Sequence, residues 1–184
     1  LLTYTATAAA VFGVYFRLQG IVFMPIFGLN NGMIPIVSYN YGARNKKRLI
    51  HAIKLSMTYA IVIMVIGFVM FQIFPAQLLS LYNATADMIA IGVPAFRIIS
   101  ISFLFAGFCI ISGSVFQALG NGIPSMITST SRQLIALIPL ALLLSRIGGL
   151  NAIWWAFPLS EILAVVITAF FLKYFYNNKI KVLG

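Results

Sequence analysis

The sequence predicts an all-α fold, a polytopic bundle of transmembrane helices, and three observations support this class. Apolar residues make up 62% of the 184-residue chain, only 8% of the residues are charged, and the mean hydropathy is +1.05. Soluble domains carry about 25% charged residues, so this composition is typical of a membrane protein. Five segments reach the roughly 20 mainly apolar residues that a spanning helix requires, and none shows the alternation typical of a transmembrane β-strand.

The predicted spans cover residues 8–41, 52–74, 89–119, 123–144 and 152–175. The first span is overlong, and its second half is polar. Gly28 and Gly32 form a small-residue face on which another helix can approach closely, and Pro35 frees the backbone carbonyl near Asn31. Asn30, Asn31 and this irregular backbone are tolerated at membrane depth only where they are buried in protein or line a wet cavity. The segment therefore predicts either a packing kink or a cavity wall, and both require a bundle.

The other four spans have boundaries typical of membrane helices. The second span stops at Pro75, and a tight turn at residues 120–124 separates the third from the fourth, since glycine and proline favour such turns. The fourth span contains Pro139. Trp154 and Trp155 lie at the outer end of the fifth span, as expected for an interfacial aromatic belt.

Lysine and arginine cluster at one end of the predicted bundle. The connection after the first span is a basic loop whose topology-setting residues are Arg44, Lys46, Lys47 and Arg48. The C-terminal tail is also basic, whereas the connections after the second and fourth spans hold only Asp87 and Arg146 between them. Short basic loops stay cytoplasmic. We therefore expect a multi-pass protein of the plasma membrane with its C-terminus in the cytoplasm. Contact between the loop and anionic lipid headgroups is a second interpretation.

This orientation has a further implication. Five spans between an outer start and an inner end predict that one upstream helix is missing, so that the sequence is most of a six-helix unit.

The net charge bears on the partner of the protein. A net charge of +10 would suggest nucleic acid as the partner of a soluble protein. Because the bases lie between apolar runs, we expect the lipid bilayer, and not nucleic acid, to be their partner.

Four ionisable residues fall well inside the predicted spans: Arg17, Arg97, Arg132 and Glu161. Each would cost roughly 2.5–3.5 kcal/mol near the middle of a membrane, so we expect them to face the bundle interior, pair with one another or line water. Similar depth suggests that Glu161 pairs with Arg97 or Arg132. Such a pair has two interpretations, a permanent contact that fixes helix packing or a polar patch at a substrate cavity. A carboxylate held in an ion pair is a poor proton carrier, so Glu161 is not assigned as a coupling acid.

The sequence offers little chemistry for an enzyme. The chain contains two acidic residues, one histidine and one cysteine, and it lacks a nucleophile triad, a phosphate-binding loop and a dinucleotide fingerprint. His51 stands alone beside the basic loop, and Cys109 is interpreted as core packing. We therefore expect no catalysis, no cofactor and no bound metal.

Several runs resemble the C-terminal half of multidrug and toxic compound extrusion (MATE) transporters. The resemblance is carried, in order along nearly the whole chain, by FRLQGIVFMPIFGLNNGMIPIVSYNYGARNKKR, IGVPAFRIISISF, GSVFQALGNGIPS, SRQLIALIPLALLL and NAIWWAFPLSEIL. It implies twelve helices in two six-helix bundles with a cavity between them. This chain would supply helices eight to twelve and would lack the first bundle, which is its N-terminal lobe, and the first helix of the second.

The resemblance also implies a function, the export of small organic cations by antiport with protons or sodium through alternating access. In the family, coupling carboxylates lie in the first bundle or on the first and fourth helices of the second. The fourth carries Arg97 here, so the coupling site is expected outside this sequence, and the fragment alone is expected to be inactive. Arg132 and Glu161 occupy positions where related members tend to have polar or charged residues.

Two other functions stay open at this point. A flippase or exporter of lipid-linked oligosaccharides or polysaccharides could share the fold, and its cavity should be strongly basic to hold pyrophosphate. The three arginines inside the spans keep that alternative open. A membrane scaffold subunit that transports nothing predicts a bundle packed without a large cavity.

Overall fold

The computed structural model describes residues 6–183 of the chain. These residues form five helices that are long and apolar enough to cross a membrane, which confirms the predicted fold class. We label them α1 (Ala6–Gly42), α2 (Lys46–Ile73), α4 (Ala86–Ala118), α5 (Ile123–Ile153) and α6 (Ala156–Leu183). A short helix, α3 (Pro75–Ser80), joins α2 to α4.

Several helices extend beyond the hydrophobic segments that predicted them. Helix α2 begins at Lys46, because the side chain of Asn45 accepts a hydrogen bond from the backbone N–H of Arg48 and caps the first turn. Much of the basic run therefore lies in the first turn of α2. A helix need not end where the bilayer ends, since lysine and arginine are good helix formers. Hydropathy marks the membrane boundary, and capping residues mark the helix boundary.

The long helix α4 lies at the centre of the bundle. In the most apolar stretch of each helix, 61% of the residues of α4 are buried, against 6% in α5. Helix α4 contacts α1, α2 and α6. Its Phe96 and Phe103 pack with Phe71 of α2, with ring centroids 5.2 Å from Phe71 in each case, and Tyr15 of α1 joins the same cluster. Lipid is as apolar as the helices themselves, so the hydrophobic effect does not drive helices together within a membrane. Close van der Waals packing of this kind therefore stabilises their association.

The predicted close approach at Gly28 and Gly32 is not observed within residues 6–183. Both glycines are exposed, and a methyl group added to either would meet no neighbouring atom within 4 Å. Helix α1 continues as a helix through Pro25 and Pro35. A close contact with a helix backbone lies elsewhere, where Gly107 of α4 faces Ala60 of α2.

Replacing Gly107 with valine is expected to destabilise the bundle by about 1–2 kcal/mol through overpacking. A Cβ at this position would lie 3.3 Å from the backbone oxygen of Ala60 and 3.2 Å from Cγ of Met64, and a helix backbone cannot move aside as a side chain can. Unfolding of the full chain in mixed micelles measures the change. Gly13→Val is the matched control, since Gly13 is exposed in α1 and has open space around it. Equal losses in both variants would contradict the packing explanation.

The two basic segments meet at one end of the bundle. Nζ of Lys46 donates to the backbone oxygen of Lys181 at 3.0 Å. Nζ of Lys179 donates to the backbone oxygen of Leu119 at 2.9 Å and lies 5.3 Å from the ring centroid of Phe175. The basic loop and the C-terminal segment therefore share one surface, which we call the basic end.

The outer faces of the helices are apolar. Met24 is 70% exposed and Phe170 is 69% exposed, and many other large apolar side chains share this position on the surface. Five apolar helices with such faces make this a multi-pass membrane protein.

Candidate functional site

The site begins with an irregular turn in α5. Residues Ser131–Leu137 form a π-helical segment that carries Arg132. Such segments are rare and often occur at functional sites. Pro139 follows closely and has no backbone N–H to give to the preceding turn, which favours irregular hydrogen bonding here.

Arg132 and Glu161 form an ion pair between α5 and α6. Nη1 of Arg132 lies 3.3 Å from Oε1 and 3.2 Å from Oε2 of Glu161. The side chain of Glu161 is only 7% exposed, whereas that of Arg132 is 32% exposed. Of the two partners that the sequence allowed, the structure selects Arg132. The pair lets a carboxylate stay inside the bundle, where it would otherwise be costly.

Two chambers open on either side of this ion pair. The chamber nearer the basic end, which we call the inner chamber, has a volume of about 440 Å³. Its polar lining comes from α1, α4 and α5 and consists mainly of amides and hydroxyls: Asn30, Asn31, Ser114, Gln117, Ser125, Ser129 and Arg132. Arg132 is the one charged residue among the described residues that line it. Ligand pockets typically have volumes of about 300–1,000 Å³, so the inner chamber is large enough for a small solute.

The second chamber, which we call the outer chamber, lies toward the opposite end and has a volume of about 370 Å³. Aromatic rings from α1 and α6 form much of its wall: Phe12, Tyr15, Phe16, Phe23 and Phe157. Glu161, Arg132, Gln19 and Gln133 supply polar groups. Arg132 therefore lines both chambers, whereas Glu161 lines the outer one only.

One polar atom beside the inner chamber has no partner. Asn30 is 7% exposed, and its Oδ1 has no hydrogen bond within the described part of the chain. A buried polar group without a hydrogen bond costs about 1–3 kcal/mol, and a bound solute or water can supply the missing partner. Deeper in the wall, Oγ1 of Thr168 lies 3.8 Å from Sγ of Cys109.

The predicted site residues do not all come together. Asn30, Asn31 and Arg132 line the inner chamber, and Glu161 lies beside them across the ion pair. Arg17 and Arg97 lie apart on the exposed surface and line neither chamber. The guanidinium of Arg17 lies 6.0 Å from the ring centroid of Tyr82, in the connection before α4.

Of the outcomes expected for the four charged side chains, which were to face the bundle interior, pair with one another or line water, pairing is observed for Arg132 and Glu161, whereas Arg17 and Arg97 are exposed. Both lie toward the end of the bundle away from the basic end, Arg17 beside Tyr82 and Arg97 beside the last turns of α2, where Gln72 donates to its backbone oxygen. Long arginine side chains near a membrane boundary can extend to water, while their stems cover apolar surface.

The aromatic wall of the outer chamber was not predicted from the sequence. Phe12, Tyr15, Phe16 and Gln19 follow one another at helical spacings of three and four residues, which places them on one face of α1. That spacing is a usable signal, but it does not distinguish a chamber wall from ordinary core packing. Within residues 6–183, no group of three or more His, Cys, Asp or Glu side chains could hold a metal ion.

Comparison with known proteins identifies relatives over most of the chain. The family model described as MatE matches residues 2–143. The multidrug export protein MepA of Staphylococcus haemolyticus is 24% identical over 182 residues, which cover 99% of this chain and 40% of that protein. A FAD transporter of Shewanella oneidensis is 23% identical over 157 residues, covering 85% of this chain and 35% of that protein. The chain thus spans about 40% of the length of the first of these curated relatives.

Solved structures of MATE transporters also match this chain. A ligand complex of the MATE multidrug transporter DinF-BH matches with a TM-score of 0.82 and 37% identity, over 91% of this chain and 37% of that one. An outward-facing MATE family transporter matches with a TM-score of 0.83 and 21% identity, over 95% and 39% of the two chains. An inward-facing one matches with a TM-score of 0.84 and 20% identity, over 95% and 40%. The last two likenesses show the fold alone.

Proposed function

The chain belongs to the MatE family, and from that premise we propose that it is part of a secondary transporter that exports small organic cations. The observation that carries this proposal is the outer chamber, where aromatic rings and the carboxylate of Glu161 line one cavity. Aromatic faces attract cations through their ring quadrupole, and the charge of Arg132 in the same lining is compensated by Glu161, so the chamber carries no unpaired positive charge that would repel a cation. The export activity of similar proteins, such as MepA, supports the same direction of transport.

We further propose that export is driven by antiport with protons or sodium through alternating access. Glu161 is the one carboxylate within the described spans that lines a chamber, and it is held by Arg132. The coupling acid is therefore proposed to lie in a part of the transporter outside these residues. The basic end is proposed to face the cytoplasm of a cell whose plasma membrane holds the protein, since short basic segments stay on that side.

The structure weighs against the two alternatives left open by the sequence. A cavity that holds pyrophosphate should be strongly basic, yet each described chamber is lined by one arginine, and that arginine is paired with Glu161. A scaffold subunit predicts a bundle packed without cavities, whereas the two chambers together occupy several hundred Å³.

Replacing Phe16 with alanine in the complete transporter of which this chain is proposed to be part is expected to raise the apparent KM for export of ethidium, an aromatic cation. A cation–π contact contributes about 0.5–2 kcal/mol, which corresponds to a roughly 2- to 30-fold change. Phe16 is 55% exposed, lines the outer chamber and packs edge-on against Phe12. Efflux from dye-loaded cells at several ethidium concentrations gives KM, and immunoblotting of membranes checks that the variant is present at normal levels.

The matched control is Phe170→Ala, which removes an exposed ring from α6 that lines neither chamber. We expect this control to leave the apparent KM unchanged. An equal effect of both substitutions, or no ethidium export by the unaltered complete transporter, would argue against the proposed function.

A further inference from the structure

The ion pair with Glu161 occupies only one of the three guanidinium nitrogens of Arg132. Both contacts with the carboxylate come from one nitrogen, Nη1. A guanidinium carries five N–H donors in a planar fork, and its strongest contacts with carboxylates use two nitrogens in parallel. Within residues 6–183, Nη2 and Nε of Arg132 have no hydrogen-bond partner. The side chain is 32% exposed, so these donors are not sealed inside protein.

The charge distribution between the chambers decides where a second anion can approach Arg132. In the outer chamber an anion would meet the carboxylate of Glu161 as well as Arg132, and the carboxylate would repel it. The inner chamber is lined by Arg132 and by no acidic residue in the described part of the chain. Amide and hydroxyl groups of Asn31, Gln117 and Ser129 can donate further hydrogen bonds to anionic oxygens. Oδ1 of Asn30 accepts only, so its missing partner is expected to be a water molecule that accompanies the occupant and not the anionic group itself.

We propose that the inner chamber binds a small organic carboxylate, which accepts hydrogen bonds from the unused donors of Arg132 while Glu161 holds Nη1. This inference rests on the proposed function, since it gives the transporter a second solute site that differs in charge preference from the outer chamber. A volume of about 440 Å³ accommodates a single aromatic ring with one carboxylate and leaves room for water.

Binding of benzoate to the full chain in detergent, measured by titration calorimetry, tests the proposal. Benzamide is the matched ligand, because it has nearly the same shape without the charge. We expect benzoate to bind and benzamide to bind at least about tenfold more weakly, since hydrogen bonds to a charged group are about twice as strong as neutral ones. In Glu161→Gln, the competing carboxylate is gone, and we expect benzoate to bind about tenfold more tightly or better.

The variants are chosen so that loss of folding is not mistaken for loss of binding. Arg132→Gln alone would leave Glu161 buried without a partner, so the double variant Arg132→Gln with Glu161→Gln removes both charges together. This double variant is expected to fold and to lose benzoate binding. Gln117→Ala, in the inner chamber, is expected to weaken benzoate, and Gln19→Ala, in the outer chamber, is expected to leave it unchanged.

Four results would overturn the proposal. These are equal binding of benzoate and benzamide, unaltered benzoate binding by the double variant, an effect of Gln19→Ala without one of Gln117→Ala, and no benzoate binding by either the unaltered chain or Glu161→Gln. Ethidium export measured on the same protein separates the two hypotheses. Export without benzoate binding rejects the anion site, whereas benzoate binding without export supports the site and rejects only the proposed function.

Discussion

Replacing Arg132 with methionine is expected to destabilise the full chain by about 3 kcal/mol, the largest effect among the substitutions considered. Breaking a buried ion pair by removing one partner costs about 3–5 kcal/mol, because the other charge is left uncompensated. The lower end of that range applies since Arg132 is 32% exposed and solvent screens part of the interaction. Methionine keeps much of the length and apolar surface of the arginine stem, so the loss reports on charge. Unfolding in mixed micelles, followed by circular dichroism, measures it.

The double variant Arg132→Met with Glu161→Gln is the control for this prediction. Replacing both members of a buried pair by neutral groups is often nearly neutral for stability, so we expect most of the lost stability to return. If the single and double variants are destabilised equally, then the ion pair contributes nothing beyond the packing of the two side chains. The stability of Arg132→Lys is expected to lie between those of the single variant Arg132→Met and the double variant, since lysine keeps the charge but not the planar fork.

Replacing Phe103 with alanine is expected to cost about 2–3 kcal/mol. Phe103 is fully buried in α4 and packs edge-on against Phe23 and Phe71. Truncation removes a volume of roughly 100 Å³, and residual cavities cost about 24 cal/mol per Å³. The transfer contribution seen in soluble proteins is largely absent, because helices that separate in a membrane remain in lipid. The same unfolding assay gives the change in free energy.

Leu104→Ala is the matched control for Phe103→Ala. Leu104 is the next residue of the same helix and is 39% exposed on the outer surface, so its truncation leaves no internal cavity. We expect a change within about 0.5 kcal/mol, as for surface substitutions away from special features. A loss at Leu104 as large as that at Phe103 would show that the aromatic cluster is not the centre of the packing.

The sequence predicted the fold class because a spanning helix needs only length and apolarity, and both are local properties. The five helices in the described residues follow those segments. Their ends were less predictable, as α2 shows, since the cap formed by Asn45 depends on one side chain and not on hydropathy. The family resemblance carried by the sequence motifs is confirmed by the match to the MatE model.

The candidate site was only partly predictable, because depth along a helix says nothing about rotation around it. Arg97 and Arg132 were equally good partners for Glu161 by depth, yet Arg97 projects to the surface of α4 and Arg132 projects toward α6. Likewise, Gly28 and Gly32 have the spacing of a contact face, and no described helix lies against them. The chambers depend on which faces of different helices meet, and the residue pattern of one helix does not predict this.

The wide turn at Ser131–Leu137 is a place where a change in hydrogen bonding would rotate one part of α5 against the other. A π-helical ring spans one residue more than a regular α-helical ring, and each residue of an α-helix accounts for about 100° of rotation. If the turn tightened into ordinary helix, the portions of α5 on either side would rotate relative to each other by about that angle. The guanidinium of Arg132 would then swing around the axis of α5, away from its place between two compartments.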